Sequence, residues 1–477
     1  MHGYSKTQLI GLIIGPILSI IVFLLPVPDG MSLLAWHTTA IALLMAVYWI
    51  SEAIPMYVTS LIPIVLFPLL NISSIKATTT PYGHPLIFLF LGGFILAKGI
   101  EKWGLHKRIA LGIIKYMGFK PTNIIAGFML GSAFLSMWIS NTATALMMLP
   151  IGMFVISIYK EALGETKNTH NFTIALLLSI AYAASIGGIG TLIGTPPNAL
   201  LSAFMSDTYN IEISFAKWTL IGFPFVIISL PIVYILLTKV IFPIYKMKKV
   251  DAAPFLAEMS SLGKMSKEEK TVLSVFAFTA LLWMTRKLLV GILPGLSDAG
   301  IAILGAVVLF TIPVKGKGFI IEWKDVQSIS WGILILFGGG LSLAQGIKNS
   351  GLSEWIATAI FSNSDISILT ITIILTTSIV FLTELTSNTA TTAAFLPVIG
   401  SIAVGLNSNP LELLVPITMA ASCAFMLPVA TPPNAIVFSS GEVRVKDMSR
   451  AGFILNIVFI FIVVAITQLL GPIVFNY

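Results

Sequence analysis

Apolar segments long enough to cross a lipid bilayer follow one another along nearly the whole chain. A membrane-spanning helix needs about 20 predominantly apolar residues, and a backbone in lipid must satisfy its hydrogen bonds internally. Eleven segments have the required length: 8–26, 32–51, 54–71, 84–100, 171–206, 214–242, 268–292, 297–313, 328–347, 410–440 and 451–475. The sequence therefore predicts an all-α polytopic membrane protein with eleven transmembrane helices.

The charged residues fall between these segments and form no single patch. They make up 10% of the 477 residues, against roughly 25% in a soluble domain. The net charge of +7 is spread over the connections, so no nucleic-acid partner is expected. Residues 1–31 combine a short basic start with about 19 apolar residues and show no evident cleavage site, which predicts a transmembrane helix and not a signal peptide.

Two further apolar stretches, 121–159 and 366–406, each carry the polar tripeptide Ser-Asn-Thr near the middle. Polar side chains exposed to lipid cost free energy, so a duplicated polar tripeptide requires a partner or a ligand. Each stretch has the length for two half-helices of ~18 residues that enter the bilayer and return. We predict two re-entrant helical hairpins with the tripeptides at their tips. The alternative is a pair of straight spans that leave each tripeptide at a membrane surface.

The two halves of the chain are related by an internal repeat. A shift of 247 residues superimposes 92–110 on 339–357 and carries the first Ser-Asn-Thr onto the second. After a shortening of eleven residues, Thr-Pro-Pro-Asn-Ala at 195–199 matches the same sequence at 431–435. A repeat of this extent predicts two structurally related halves.

Charge asymmetry indicates that the halves have opposite orientations. Residues 98–120 contain six Lys or Arg, whereas 345–367 contain only Lys348, so the positive-inside rule places the base of the first hairpin in the cytoplasm and that of the second outside. Such inverted repeats are typical of secondary transporters, whose site lies at the midplane between the halves. The same rule predicts a cytoplasmic N-terminus and an extracytoplasmic C-terminus.

Ser266 and Glu269 predict a capping box. The predicted division is an N-terminal helix (1–31), a first repeat (32–244) with a broken helix at 171–206, a Lys-rich cytoplasmic linker (245–267), and a second repeat (268–477) with a broken helix at 410–440.

Each repeat supplies neutral oxygen atoms where a charged site would carry ionised side chains. Proline interrupts the helix at 196–197 and 432–433 and leaves carbonyls without intrahelical donors. With the Ser, Thr and Asn side chains, these are hard oxygen ligands of the kind that alkali cations favour. No Lys, Arg or His occurs in 122–159, 171–216 or 366–441, and an uncompensated buried charge costs on the order of several kcal/mol. The sequence therefore predicts cation-coupled symport of an anion, with one cation beside each hairpin tip.

At these motifs the sequence resembles the divalent anion/sodium symporter family, whose members include sodium-dependent dicarboxylate transporters. Both Ser-Asn-Thr tips, both Thr-Pro-Pro-Asn-Ala segments and Tyr-Trp-Ile-Ser-Glu-Ala-Ile-Pro at 48–55 look like those of the family. The resemblance implies a homodimer in a cell membrane, with a scaffold domain and an elevator-like transport domain. It also implies uptake of C4-dicarboxylates such as succinate, malate and fumarate with sodium ions, without a further cofactor.

The resemblance further implies two sodium sites and a substrate site. The first sodium site comprises Ser136, Ser140, Asn141 and the carbonyl of Gly194. The second comprises Thr383, Ser387, Asn388 and the carbonyl of Ala430. The substrate carboxylates are expected at Asn141, Thr142, Thr195, Asn388, Thr389, Thr431 and Pro432.

Three other functions stay open from the sequence. A sodium-independent exchanger of dicarboxylates or tricarboxylates would be expected to hold Lys, Arg or His at the site in place of the cations. A sodium/sulfate symporter would share the same motifs. A membrane enzyme is disfavoured, because the five histidines are scattered near the ends of the segments and form no HExxH motif.

Four ionisable residues lie inside or directly beside apolar segments. Glu52, between the segments 32–51 and 54–71, and Glu384, within the stretch 366–406, are interpreted as intramembrane carboxylates, and such groups are functional by default. Glu384 either binds a cation directly or braces the second hairpin. Arg286 and Lys287 interrupt the segment 268–292, and are expected to anchor at the membrane interface or to pair with Glu52.

Overall fold

A computed structural model describes residues 5–244, 247, 253–316, 318–361 and 367–477. Among them, ten helices are long and apolar enough to cross a membrane. The predicted all-α polytopic fold is confirmed. The number of ten such helices is close to the predicted eleven transmembrane helices; the predicted segments 54–71 and 297–313 form shorter apolar helices of fewer than 18 residues, Met56–Leu69 and Asp298–Thr311. Outside the described residues lie 1–4 of the predicted N-terminal helix, 245, 246 and 248–252 of the predicted linker, and 366 of the second predicted hairpin.

The first half of the chain forms twelve α-helices. They are α1 (Lys6–Leu24), α2 (Leu33–Ser51), α3 (Met56–Thr59), α4 (Ile62–Leu69), α5 (Ile75–Thr79), α6 (Pro85–Lys102), α7 (Leu105–Met117), α8 (Pro121–Ser136), α9 (Asn141–Leu163), α10 (Lys167–Ile189), α11 (Pro196–Tyr209) and α12 (Phe215–Ile235). A 3-10 turn, Thr80–Gly83, precedes α6, and a π-helical segment, Leu236–Ile241, continues α12.

The described part of the second half forms eleven α-helices and one short antiparallel pair of strands. The helices are α13 (Ala253–Ser261), α14 (Lys267–Leu289), α15 (Asp298–Thr311), α16 (Trp323–Val326), α17 (Trp331–Asn349), α18 (Leu352–Phe361), α19 (Ile368–Leu382), α20 (Asn388–Gly405), α21 (Pro410–Ala421), α22 (Pro432–Phe438) and α23 (Val445–Phe475). The strands are β1 (Pro313–Val314) and β2 (Gly318–Phe319), with Pro313 opposite Phe319.

The predicted capping box at the start of α14 is confirmed. The hydroxyl of Ser266 accepts from the amide of Glu269 at 3.0 Å, and the Glu269 carboxylate accepts from the Ser266 amide at 2.7 Å. The same carboxylate lies 2.9 Å from Nε of Arg108. This ion pair ties α7 to the start of α14.

Helices break at all four repeated motifs. Between α10 and α11, and again between α21 and α22, the chain restarts a helix at the first proline of Thr-Pro-Pro. Proline suits this first position, because its missing N–H would have no intrahelical acceptor there. At both Ser-Asn-Thr tripeptides the second helix begins at the Asn, which opens α9 and α20. The 23 residues of α9 could cross a bilayer alone, so re-entry of the hairpins stays a prediction.

Helix α10 occupies the centre of the fold. The most apolar part of α10 is buried at every residue, and the helix packs against α8, α9, α12 and α22. Gly187 permits the closest approach, since a Cβ there would lie 2.6 Å from Cα of Ala133 on α8. The hairpin and broken helices α8 to α12 and α19 to α23 pack mainly with one another, whereas α6, α14 and α15 form a second group. This packing brings both pairs of repeated motifs to the middle of the molecule.

Candidate binding site

The first hairpin tip is organised by a hydrogen bond inside the predicted sodium site. The fully buried Ser136 hydroxyl donates to Oδ1 of Asn141 at 2.6 Å. Ser140 caps α9, its hydroxyl accepting from the amide of Ala143 at 3.2 Å. These contacts hold the Asn141 amide with its oxygen turned toward the tip.

The second hairpin tip repeats this arrangement. The hydroxyl of Thr383, which is also buried, lies 2.8 Å from Oδ1 of Asn388 and 2.9 Å from the carbonyl of Ala421, and these two acceptors share its single proton. Because Ala421 ends α21, Thr383 also joins the tip to the neighbouring broken helix. A hydroxyl and an asparagine oxygen therefore meet at each tip.

Glycine allows the first tip to lie directly on the broken helix. A Cβ at Gly188 would lie 2.5 Å from Oδ1 of Asn141. Gly194 in turn lies against the carbonyl of Gly188. Asn141 and Gly194, both predicted for the first sodium site, therefore meet at Gly188.

A cavity of about 1030 Å³ connects the two tips. Two of the thirteen predicted site residues, Ser136 and Thr383, do not line the cavity but are hydrogen-bonded to Asn141 and Asn388, which do. The other eleven line the cavity: Ser140, Asn141, Thr142, Gly194, Thr195, Ser387, Asn388, Thr389, Ala430, Thr431 and Pro432. The fold thus brings motifs nearly 250 residues apart to one cavity, where their oxygen atoms can surround a cation and their O–H and N–H groups can donate to an anion. Their ligand roles stay predictions.

Three charged side chains that the site prediction did not include line the cavity mouth. They are Glu52, Lys98 and Glu101, and Nζ of Lys98 lies 3.1 Å from the Glu101 carboxylate. The sequence singled out Glu52 but gave no sign that the end of α6 faces the same space. The cavity therefore contains a basic side chain, yet its formal charge is negative.

Glu384 braces the second hairpin. Its carboxylate accepts from the amides of Phe425 at 2.6 Å, Met426 at 2.9 Å and Leu427 at 3.1 Å, and from Nδ2 of Asn456 at 2.8 Å. The residue is 3% exposed and does not line the cavity. Of the two predicted roles, the structure therefore favours bracing.

The predicted pairing of Arg286 with Glu52 is wrong. Arg286 binds Glu212, and its Nε lies 3.1 Å from the carboxylate of Asp298. Asp298 also accepts from the amide of Phe215 at 2.8 Å. Arg286 lies in the last turn of α14, and in the described part of the chain its ion-pair partners are these two carboxylates and not Glu52.

The chain is similar to known transport proteins over almost its full length. A family model described as "Sodium:sulfate symporter transmembrane region" matches residues 6–477. A protein of Staphylococcus saprophyticus subsp. saprophyticus named "Sodium-dependent dicarboxylate transporter SdcS" is 44% identical over 481 residues, which cover 98% of this chain and 92% of that protein. The protein of the same name from Staphylococcus aureus (strain USA300) is 42% identical over 482 residues, or 99% and 92% of the two chains.

Proposed function

Because the chain belongs to the divalent anion/sodium symporter family, we propose that it carries C4-dicarboxylates, such as succinate, malate and fumarate, into the cell together with sodium ions. The names of its relatives support sodium dependence and a dicarboxylate. The observation that carries the proposal is the cavity that both Ser-Asn-Thr tips and both Thr-Pro-Pro segments line.

The charges of this cavity favour an anion that arrives with cations. Its charged side chains are Glu52, Lys98 and Glu101, so its formal charge is negative, and Lys98 is already paired. A dianion placed there without other positive charge would lose hydration and meet net repulsion. One sodium ion at each tip supplies two positive charges and offsets the dianion.

At each tip, oxygen atoms are proposed to bind sodium and N–H donors to bind the substrate. The first sodium ion binds at Ser136, Ser140, Asn141 and the Gly194 carbonyl, and the second binds at Thr383, Ser387, Asn388 and the Ala430 carbonyl. The substrate carboxylates bind at Asn141, Thr142, Thr195, Asn388, Thr389, Thr431 and Pro432.

The cavity mouth gives the proposed direction. It lies where α1 begins and α2 and α6 end, next to Gln8, Glu52 and Lys98. The positive-inside rule assigns this end to the cytoplasm, so the chain is a multi-pass protein of the cell membrane with a cytoplasmic N-terminus and an extracytoplasmic C-terminus. At the opposite end of α6, Nε2 of His84 lies 2.9 Å from the carboxylate of Asp207.

Transport then requires the binding site to reach the outer side. We assign the moving part to the helices that carry the site, α8 to α12 and α19 to α23, because they pack mainly with one another. The group with α6, α14 and α15 is the scaffold of an elevator and holds a second copy in a homodimer. Cysteine cross-links between the two groups, formed in sodium and with succinate, test this movement.

The test of function is uptake of labelled succinate by proteoliposomes with an inward sodium gradient, compared with choline at equal voltage and pH. Uptake is expected only with sodium, and Asn141→Ala or Asn388→Ala should abolish it. Asn171→Ala is the control, since this asparagine donates to the Pro243 carbonyl away from the site. Equal uptake in choline would contradict sodium coupling and favour an exchanger.

Sulfate is the second candidate substrate, because the matching family description names it. Unlabelled sulfate, citrate and 2-oxoglutarate are therefore tested as competitors of labelled succinate in the same proteoliposomes. Sodium-driven uptake of labelled sulfate without any uptake of succinate would replace the dicarboxylate assignment.

A further inference from the structure

Two buried asparagines occupy equivalent places beside the two hairpin tips. Asn198 follows the first Thr-Pro-Pro and Asn434 the second, and both are 0% exposed. Neither lines the cavity or belongs to the ligands proposed above. Their environment nevertheless follows the repeat.

Each asparagine donates to carbonyls at the interruption of its broken helix. Nδ2 of Asn198 lies 3.1 Å from the carbonyl of Gly188 and 2.8 Å from that of Thr191. These two carbonyls lack helical donors, because α10 ends at Ile189. The side chain of α11 therefore reaches back and closes the end of α10.

In the second repeat, Nδ2 of Asn434 lies 3.3 Å from the carbonyl of Ala424 and 3.0 Å from that of Leu427. Asn198 and Asn434 are 236 residues apart, and the same separation relates Gly188 to Ala424 and Thr191 to Leu427. Two hydrogen bonds of each asparagine are thus repeated, and Asn198 has a third, 3.4 Å from Nδ2 to the carbonyl of Ile189.

The same carbonyls also hold the residues proposed to bind sodium through their backbone. The amide of Gly194 donates to the Thr191 carbonyl at 3.3 Å, and the amide of Ala430 donates to the Leu427 carbonyl at 3.2 Å. Among the residues that the structure describes, no hydrogen bond ends on the carbonyl of Gly194 or Ala430. Asn198 and Asn434 therefore donate to neighbouring carbonyls, while the carbonyls of Gly194 and Ala430 stay available to bind a cation.

We propose that Asn198 and Asn434 are positioning residues for the two sodium sites. Asn198 fixes Gly188, against which both Asn141 and Gly194 lie, and so sets the spacing of the first site. Asn434 fixes the Leu427 carbonyl and with it the turn that presents Ala430. This inference rests on the proposed sodium coupling and adds the residues that hold the backbone ligands in place.

The test measures sodium binding without transport. Purified wild-type protein, Asn198→Ala and Asn434→Ala are unfolded thermally at increasing sodium with choline as the balancing cation, and half-saturation of the stabilisation gives the apparent sodium affinity. Losing one hydrogen bond that fixes a ligand should raise half-saturation about tenfold in either variant. Asn171→Ala, which removes a buried donor outside the site, should leave it unchanged.

The outcomes separate the two proposals. If sodium fails to stabilise the wild type, the proposed function fails. If the wild type responds and both alanine variants keep its half-saturation, the positioning role is overturned, even if they unfold at a lower temperature. Asn198→Ser and Asn434→Ser give the same comparison if alanine prevents purification. A change in the preference for sodium over lithium in these variants further supports positioning, because a loss of stability alone would not alter it.

Discussion

Gly188→Ala is expected to damage the first sodium site while leaving the fold intact. The added Cβ would lie 2.5 Å from Oδ1 and 3.1 Å from Nδ2 of Asn141, where ordinary contact begins at 3.4 Å. The Asn141 amide must therefore move by about 0.9 Å. It cannot do so freely, because its oxygen accepts the 2.6 Å hydrogen bond from Ser136.

The two effects of this substitution on stability partly offset each other and leave a net cost of about 0–2 kcal/mol. Overpacking costs roughly 1–3 kcal/mol, whereas alanine in place of glycine inside a helix such as α10 gains about 1 kcal/mol. The sodium site has no such compensation, because moving the amide also breaks its bond to the Ser136 hydroxyl. A loss of about 1.4 kcal/mol there corresponds to a tenfold weaker affinity.

The assay is the sodium dependence of thermal unfolding, without substrate, of Gly188→Ala and of a matched glycine variant. Gly340→Ala is the control, since its Cβ would lie no closer than 3.6 Å to any neighbour outside its own helix turn. Half-saturation by sodium should rise at least tenfold in Gly188→Ala and stay unchanged in Gly340→Ala. Unchanged affinity in Gly188→Ala would refute the placement of Asn141 at the sodium site.

Two further predictions concern the braces of the fold. Glu384→Gln should lower the free energy of unfolding by roughly 1–3 kcal/mol, because an amide group cannot accept from all four N–H donors and leaves at least one buried donor unpaired. A lowered unfolding midpoint in detergent checks this. Arg286→Met should lower the free energy of unfolding by about 3–5 kcal/mol, because it leaves the buried Asp298 without its cation. Adding Asp298→Asn should recover part of that loss, which a double-mutant cycle on the unfolding midpoint measures.

Features encoded in a few adjacent residues could be predicted from the sequence. The capping box needs only Ser266 and Glu269, and each helix start at Thr-Pro-Pro needs only its prolines, because these residues act on the backbone within one turn. The internal repeat extended this reach, since it predicted that the second tip would resemble the first. Both tips indeed pair a hydroxyl with an asparagine oxygen.

Features that depend on how distant helices meet could not be predicted in this way. Arg286 has carboxylates available throughout the chain, and only the packing of α14 and α15 selects Asp298. Lys98 lies in the basic stretch 98–120 that served as a topology signal, but its place at the cavity mouth depends on how α6 of the first repeat packs against α15 and α17 of the second. Asn198 and Asn434 stood inside a recognised motif, yet their carbonyl partners become apparent only once the broken helices are folded.

Asn141 and Asn388 are each proposed to bind both a sodium ion and the substrate, which offers a physical basis for coupling sodium to substrate. At each tip, the amide oxygen of Asn141 or Asn388 faces the hydroxyl of the proposed cation site, which leaves its N–H group to donate elsewhere. A cation bound to the oxygen fixes the amide, and the fixed amide then presents N–H groups to a carboxylate.

Replacing these asparagines by aspartate should separate the two binding events. Asn141→Asp or Asn388→Asp keeps an oxygen for sodium but turns the donor into a negative acceptor, which repels a dicarboxylate. Thermal unfolding should therefore still show stabilisation by sodium, while added succinate should give no further stabilisation in either variant. Retained stabilisation by succinate would show that the carboxylates bind elsewhere, because two negative oxygens in contact without an intervening proton or cation are unfavourable.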